Sequence, residues 1–220
     1  MKKMIIIIII LLVILIGMFL YKNILAGSKN NINVQEIENI ENYILKIYMW
    51  KEITGDALPS FENINNADEK WIWEVVKKNL DNYEFTSEEI QEKAKELFGD
   101  NFNKQFPKEG NNSFQYEEKE DKYIATQTEF DEEEDAFLLN NIEKTKDGYK
   151  VEIVEFLEDY SEENNVIIRN IQNEEIEKIA ENESETKIQE LVKSNIDRFS
   201  KKNIYLKNLN EKLYIQKVEI

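Results

Sequence analysis

Three kinds of hydrophobic pattern follow one another along this chain. Met4 to Leu20 is a run of seventeen residues without a charge, led by Ile5 to Ile10. From Val34 the apolar positions recur at helical spacing. From about Ser113 the spacing shortens toward two, the period of a half-buried strand.

The helical section predicts three helices. In the first, Val34 to about Thr54, Ile37, Ile40, Ile44 and Ile47 form a stripe broadened by Tyr43 and Trp50, and Gly55 to Pro59 breaks it. A second is expected to open on a capping box of Asn66 and Glu69, with Ile72, Val75, Val76 and Leu80 on its apolar face and Trp71 and Trp73 at its start. The third opens on Thr86 and Glu89, again a capping box, with Phe85 and Ile90 placed as a hydrophobic staple. Ile90, Ala94, Leu97 and Phe98 make its buried stripe, and Gly99 stops it. Phe102 and Phe106 are expected to pack one further short turn, ended by Pro107.

The period-two section predicts a strand at Phe114 and Tyr116 and another over Tyr123 to Phe130. Ala136 to Lys146 and Tyr149 to Leu157 flank Asp147-Gly148, which reads as a type I′ hairpin turn. Val166 to Ile171 is a further strand, and Glu174 to Ala180 reads equally as strand or helix. Ser184 is placed to cap a late helix through Phe199, with Ile188, Leu191, Val192 and Phe199 on one face. Asn203 to Leu206 and Leu213 to Val218 form a closing hairpin turned at Asn208 to Asn210. Helices first and then mostly antiparallel strands predict an α+β fold, a helical N-terminal half packed on a sheet behind an N-terminal transmembrane helix. This order resembles that of NTF2-like cones, in which helices pack on a curved sheet; the likeness is one of element order and carries no motif.

The opening run sets the expected organisation. As a helix it is roughly 25 Å long, close to the hydrocarbon core of a thin bilayer. It is read first as an uncleaved signal anchor: residues 1–3 cytoplasmic, 4–21 in the membrane, 22–33 a spacer, and 34–220 an acidic globular domain. A cleaved signal peptide is the second reading, with Ile24-Leu25-Ala26 or Ala26-Gly27-Ser28 as its site, although the apolar run exceeds the usual signal length. A buried core helix is the third. Leu25-Ala26-Gly27-Ser28 has the form of a lipobox with Ser in place of the lipidated Cys, so no thioether can form there. Lys2 and Lys3 before the run, and sparse positive charge after it, favour an extracytoplasmic domain.

Charge narrows the partners. The chain carries −17 overall, and no acid occurs before residue 30, so the remainder sets 24 basic side chains against 45 acidic ones. Such a surface repels phosphate backbones, which argues against nucleic acid; it suits a protein partner with a basic surface or divalent ions. The expected contacts are therefore the membrane, through residues 4–21, and such a protein. Arg appears only at Arg169 and Arg198.

With no Cys and no His, zinc ribbons, disulfides and nucleophile–histidine catalysis are excluded. No Gly-rich phosphate loop or dinucleotide fingerprint is present. Asp131-Glu132-Glu133-Glu134-Asp135 could hold Ca²⁺ through hard oxygens but lacks EF-hand spacing, and a solvated, self-repelling loop is the plainer reading. Trp50, Trp71 and Trp73 could line a sugar or peptide groove; core packing is the plainer reading. Asn111-Asn112-Ser113 and Asn182-Glu183-Ser184 match the glycosylation pattern, as chance allows in so Asn-rich a chain. No catalytic, cofactor-binding or metal-ligating residue is assigned. The expected function is a membrane-anchored, non-catalytic binding or scaffolding domain. Alternatives are an extracytoplasmic carboxylate-based hydrolase or Ca²⁺-binding protein, and a cytoplasm-facing tethered regulator.

Overall fold

A computed structural model describes residues 32–126, 133–181 and 185–220. The expected anchor, the residues before it, most of the spacer and the Asn182-Glu183-Ser184 match lie outside these residues. Among the described residues no helix is long and apolar enough to cross a membrane. The fold is mixed α+β, with helices packed on antiparallel sheets. The described helices are α1 Val34–Ile47, α2 Lys51–Thr54, α3 Glu69–Lys78, α4 Ser87–Phe98 and α5 Glu185–Ser194. The described strands are β1 Glu84–Phe85, β2 Phe114–Glu117, β3 Lys122–Ala125, β4 Glu133–Lys144, β5 Gly148–Asp159, β6 Asn165–Arg169, β7 Glu175–Ala180, β8 Ser200–Leu209 and β9 Lys212–Glu219.

The chain divides into two compact units. Of the described residues, one holds 32–41, 133–144, 151–181 and 185–202; the other holds 42–126, 145–150 and 203–220. The stripe Ile37, Ile40, Ile44 and Ile47 of α1 is fully buried, as its spacing predicts. The helix is shorter than expected. It stops at Ile47, where Tyr48 and Met49 are also buried. Trp50 then takes an extended backbone (φ −82°, ψ 128°) and α2 starts afresh, ended by Gly55 at φ 84°.

In the first unit the strand order is β7-β6-β5, and β4 also pairs with β5. One face of this sheet packs on α5. Leu138, Val154, Phe156, Val166, Ile168, Ile176 and Ile179 form one apolar cluster with Ile188, Leu191, Val192 and Phe199. All four residues expected on the late helix's face are therefore buried together. The helix itself ends at Ser194, and a 3₁₀ turn, Ile196–Arg198, carries the chain to Phe199.

The ambiguity at Glu174 to Ala180 resolves as a strand with a bulge. Ile176 and Ile179 lie three apart, a helical spacing that would put them on opposite faces of a regular strand. Ile168 pairs with Glu177 and Arg169 with Glu175, so Ile176 is an extra residue, and both isoleucines reach the cluster. Arg198 braces the bulge: its guanidinium donates to the carbonyls of Glu175 at 3.2 Å and Ile176 at 3.5 Å. Buried Asn170 ties the adjoining turn. Its Oδ1 accepts from the N–H groups of Gln172 and Glu174, and its Nδ2 donates to Arg198 O at 3.3 Å.

The second unit is built on aromatic rings. Rings at 4.8 to 6.1 Å run in an unbroken series from Phe61 through Trp71, Phe98, Phe102, Trp73 and Phe106 to Phe114 and Tyr123. The series joins α3 and α4 to a three-stranded sheet of order β1-β3-β2. The capping box of α4 is present: Thr86 N–H donates to Glu89 Oε2 at 2.7 Å, and Glu89 N–H donates to Thr86 Oγ1 at 3.2 Å. Gly99 ends the helix at φ 89°, its N–H donating to Lys95 O. The box expected at Asn66 and Glu69 is displaced. Asp68 is the cap, its Oδ1 accepting from Trp71 N–H at 2.9 Å, because Ala67 is extended and separates Asn66 from the helix. Leu80 falls beyond the end of α3. After a turn at Gly99, the chain around Phe106 is irregular. Gln91 satisfies it, donating to Lys104 O and accepting from Phe106 N–H, both at 2.9 Å.

Strands β8 and β9 form the closing hairpin. Its turn is at Asn210-Glu211, both at positive φ (52° and 67°), two residues beyond the start of the expected turn. Gln216 is the extra residue of a second bulge, which brings Ile215 and Val218, again three apart, both inward. The outer edge of β9 is covered. Phe61 and Val218 exchange backbone hydrogen bonds, and Tyr43 OH accepts from Ile215 N–H at 2.8 Å while donating to Leu97 O at 3.0 Å.

The type I′ reading of Asp147-Gly148 fails, since neither residue has positive φ. The turn residues are Lys146 and Asp147, and Gly148 begins β5. Glycine is needed there for another reason: a Cβ would come within 2.0 Å of Leu206 O.

Candidate functional site

The polar groups of the first unit gather along β5. Alternation puts Glu155, Leu157 and Asp159 on one face, opposite the face where Val154 and Phe156 join the apolar cluster. Register adds Arg169, which pairs with Leu157. Two ion pairs result. Lys202 Nζ lies 3.1 Å from Glu155 Oε1, the two side chains only 4% and 2% exposed. Arg169 Nε donates to Asp159 Oδ2 at 2.8 Å. Burying such charges is expensive, and hydrogen bonding must offset much of the lost hydration. For Asp159 burial pushes the carboxyl's proton affinity up. Two hydrogen bonds from Ser161 and the Arg169 guanidinium outweigh this and hold it below the usual carboxylate range.

The next residues carry the opposite shift. Burial pushes Glu158 above the usual carboxylate range. A hydrogen bond from Tyr160 OH at 2.6 Å works against this, and the charges of Glu134 and Glu185 add to it. Tyr160 is itself pushed up, by burial first and then by Glu158. Neighbouring carboxyls on β5 thus differ in sign. Asp159 therefore stays ionised to lower pH than a solvated carboxyl, while Glu158 keeps its proton to higher pH.

The residues singled out in the sequence lie elsewhere. In the acidic run, Asp131 and Glu132 fall outside the described residues. The strand β4 already begins at Glu133, so the run is not wholly the loop expected. Among the described residues no three His, Cys, Asp or Glu side chains gather to hold a metal. Trp71 and Trp73 are core residues, fully buried in the ring series. Their indole N–H groups donate to Ala57 O and Glu69 Oε1. Trp50 is half-buried. Asn111 turns its Oδ1 to the N–H groups of Ser113 and Phe114.

Sequence reasoning passed over the β5 pairs because Glu and Lys are so common here. The two arginines were the available signal. In a chain that otherwise uses Lys, Arg169 bonds a carboxylate through Nε and Arg198 spreads two guanidinium nitrogens over paired carbonyls. Comparison of the chain with protein families, with curated proteins and with solved structures returns no match.

Proposed function

We propose that this chain is a membrane-anchored binding domain. Residues 4–21 hold it in the bilayer as a helix. Residues 34–220 project outside the cytoplasm and bind or scaffold a protein partner with a basic surface, without catalysing a reaction. The observation that carries the reading is the uncharged run Met4 to Leu20 ahead of a strongly acidic remainder. At roughly −0.5 kcal/mol per central Ile or Leu, insertion of such a run is favoured. The acidic remainder disfavours nucleic acid and anionic headgroups and suits a cationic protein surface. The likeness in element order to NTF2-like cones is a proposal about fold alone and brings no ligand with it.

Alkaline carbonate extraction of membranes from cells making the full chain tests the anchor. The chain is expected to stay in the membrane pellet, and a variant lacking residues 4–20 to leave it. Release of the full chain into the supernatant would end the reading.

A further inference from the structure

We propose that Asp147 is a modification site, at which isoaspartate forms spontaneously and loosens the contact of this turn with β8. The inference stands apart from the binding reading.

Asp147-Gly148 is the one place in the sequence where Asp or Asn precedes Gly. The carboxyl carbon of an aspartate can close a five-membered ring with the next amide nitrogen, and a glycine there has no side chain to hinder the approach. The fold keeps this pair open. Thr145, Lys146 and Asp147 are all exposed. The turn's hydrogen bonds run from Thr145 N–H to Gly148 O at 2.9 Å and from Asn208 N–H to Asp147 O at 2.8 Å. The Gly148 N–H, which would attack, takes part in neither. Packing also retains the glycine, since a Cβ would come within 2.0 Å of Leu206 O. Other pairs with a small second residue are held differently. At Asn112-Ser113 the serine is buried and its N–H donates to Asn111 Oδ1 at 2.9 Å. At Asn66-Ala67 the alanine is buried and its N–H donates to Ile64 O at 3.2 Å.

The steps balance without a co-reactant other than water. Gly148 N bonds to Asp147 Cγ, and the amide proton and the Cγ hydroxyl leave together as water, which gives a succinimide. Water then adds to either ring carbonyl and breaks its bond to nitrogen. Breaking the Cγ–N bond restores aspartate. Breaking the bond from the original main-chain carbonyl leaves the chain running through Cγ, as isoaspartate. Nothing is oxidised or reduced. The main chain gains a methylene beside Gly148, where a methyl group already has no room. The carbonyl that accepts from Asn208 N–H becomes part of a carboxylate off the chain.

The test incubates the full chain in detergent micelles for several weeks at physiological pH and temperature. Isoaspartate is read by transfer of labelled methyl groups from S-adenosylmethionine by an isoaspartyl methyltransferase, and is placed by peptide mass spectrometry. Label is expected at Asp147 ahead of every other Asp or Asn. It is expected to be lost in Asp147→Glu, whose longer side chain would need a six-membered ring, and in Asp147→Ser, which has no carboxyl. The melting temperature of the unsubstituted chain is expected to fall as label accumulates, while those of both variants hold. No label at Asp147 in the folded chain overturns the proposal; label there only after unfolding in urea would show that the turn protects the pair. Label that favours another position overturns it too, as does isoaspartate at Asp147 with no fall in melting temperature.

Discussion

Lys202 and Glu155 show how a single residue pair sets the energetics of β5. Removing one partner leaves the other charged and buried. Lys202→Met alone is expected to cost about 3–5 kcal/mol in urea unfolding, and Lys202→Met with Glu155→Leu to recover most of it. A double variant no more stable than the single would mean that the pair is not the source of the cost. Asp159 and Glu158 give a pH signature of opposite signs. The depressed Asp159 contributes stability that is complete above its unfolded value, about 4, and is lost as pH falls through its lower folded value. The raised Glu158 favours the fold in acid, and its penalty grows as pH rises past about 4.3. Urea melts at pH 7 and pH 3 separate the two. Asp159→Asn is expected to lose stability at pH 7 with a smaller loss at pH 3; Glu158→Gln is expected to gain at pH 7 and to be neutral at pH 3. Tyr43→Phe strips one hydroxyl from two buried backbone groups, Ile215 N–H and Leu97 C=O. It is expected to cost about 2 kcal/mol.

At the scale of elements, the hairpin β8-β9 turns through a left-handed Glu211, a conformation that costs a side-chain-bearing residue about 1 kcal/mol or more. Glu211→Gly creates the Asn-Gly pair this turn prefers and is expected to raise stability by up to about 1 kcal/mol, seen as a higher melting temperature. Turns were where the sequence misled. Asp147-Gly148 has the right letters for a type I′ turn, yet its glycine answers the approach of Leu206 O, a contact from far along the chain. The helices were legible where local chemistry decides them. Thr86, Glu89 and Gly99 bound α4 as their types predict. The late-helix stripe Ile188, Leu191, Val192 is buried as its spacing predicts. Strands β7 and β9 were harder, because the bulges at Ile176 and Gln216 let residues three apart share a face. The ion pairs of β5 were illegible for a related reason: they depend on register between strands, and forty-five acids offer too many partners to choose from.

The whole molecule combines an apolar opening run with a remainder in which acids outnumber bases nearly two to one. On the proposed reading, residues 4–21 hold the acidic domain at the outer face of a membrane. Because the chain contains no cysteine, one can be introduced as a unique probe. Lys187, exposed on α5, is a suitable position. Cells producing the Lys187→Cys chain are treated with a membrane-impermeant maleimide before and after permeabilisation. Labelling is expected in intact cells, with no gain on permeabilisation and the labelled chain in the membrane fraction. Labelling that appears only after permeabilisation would contradict it and place the domain in the cytoplasm.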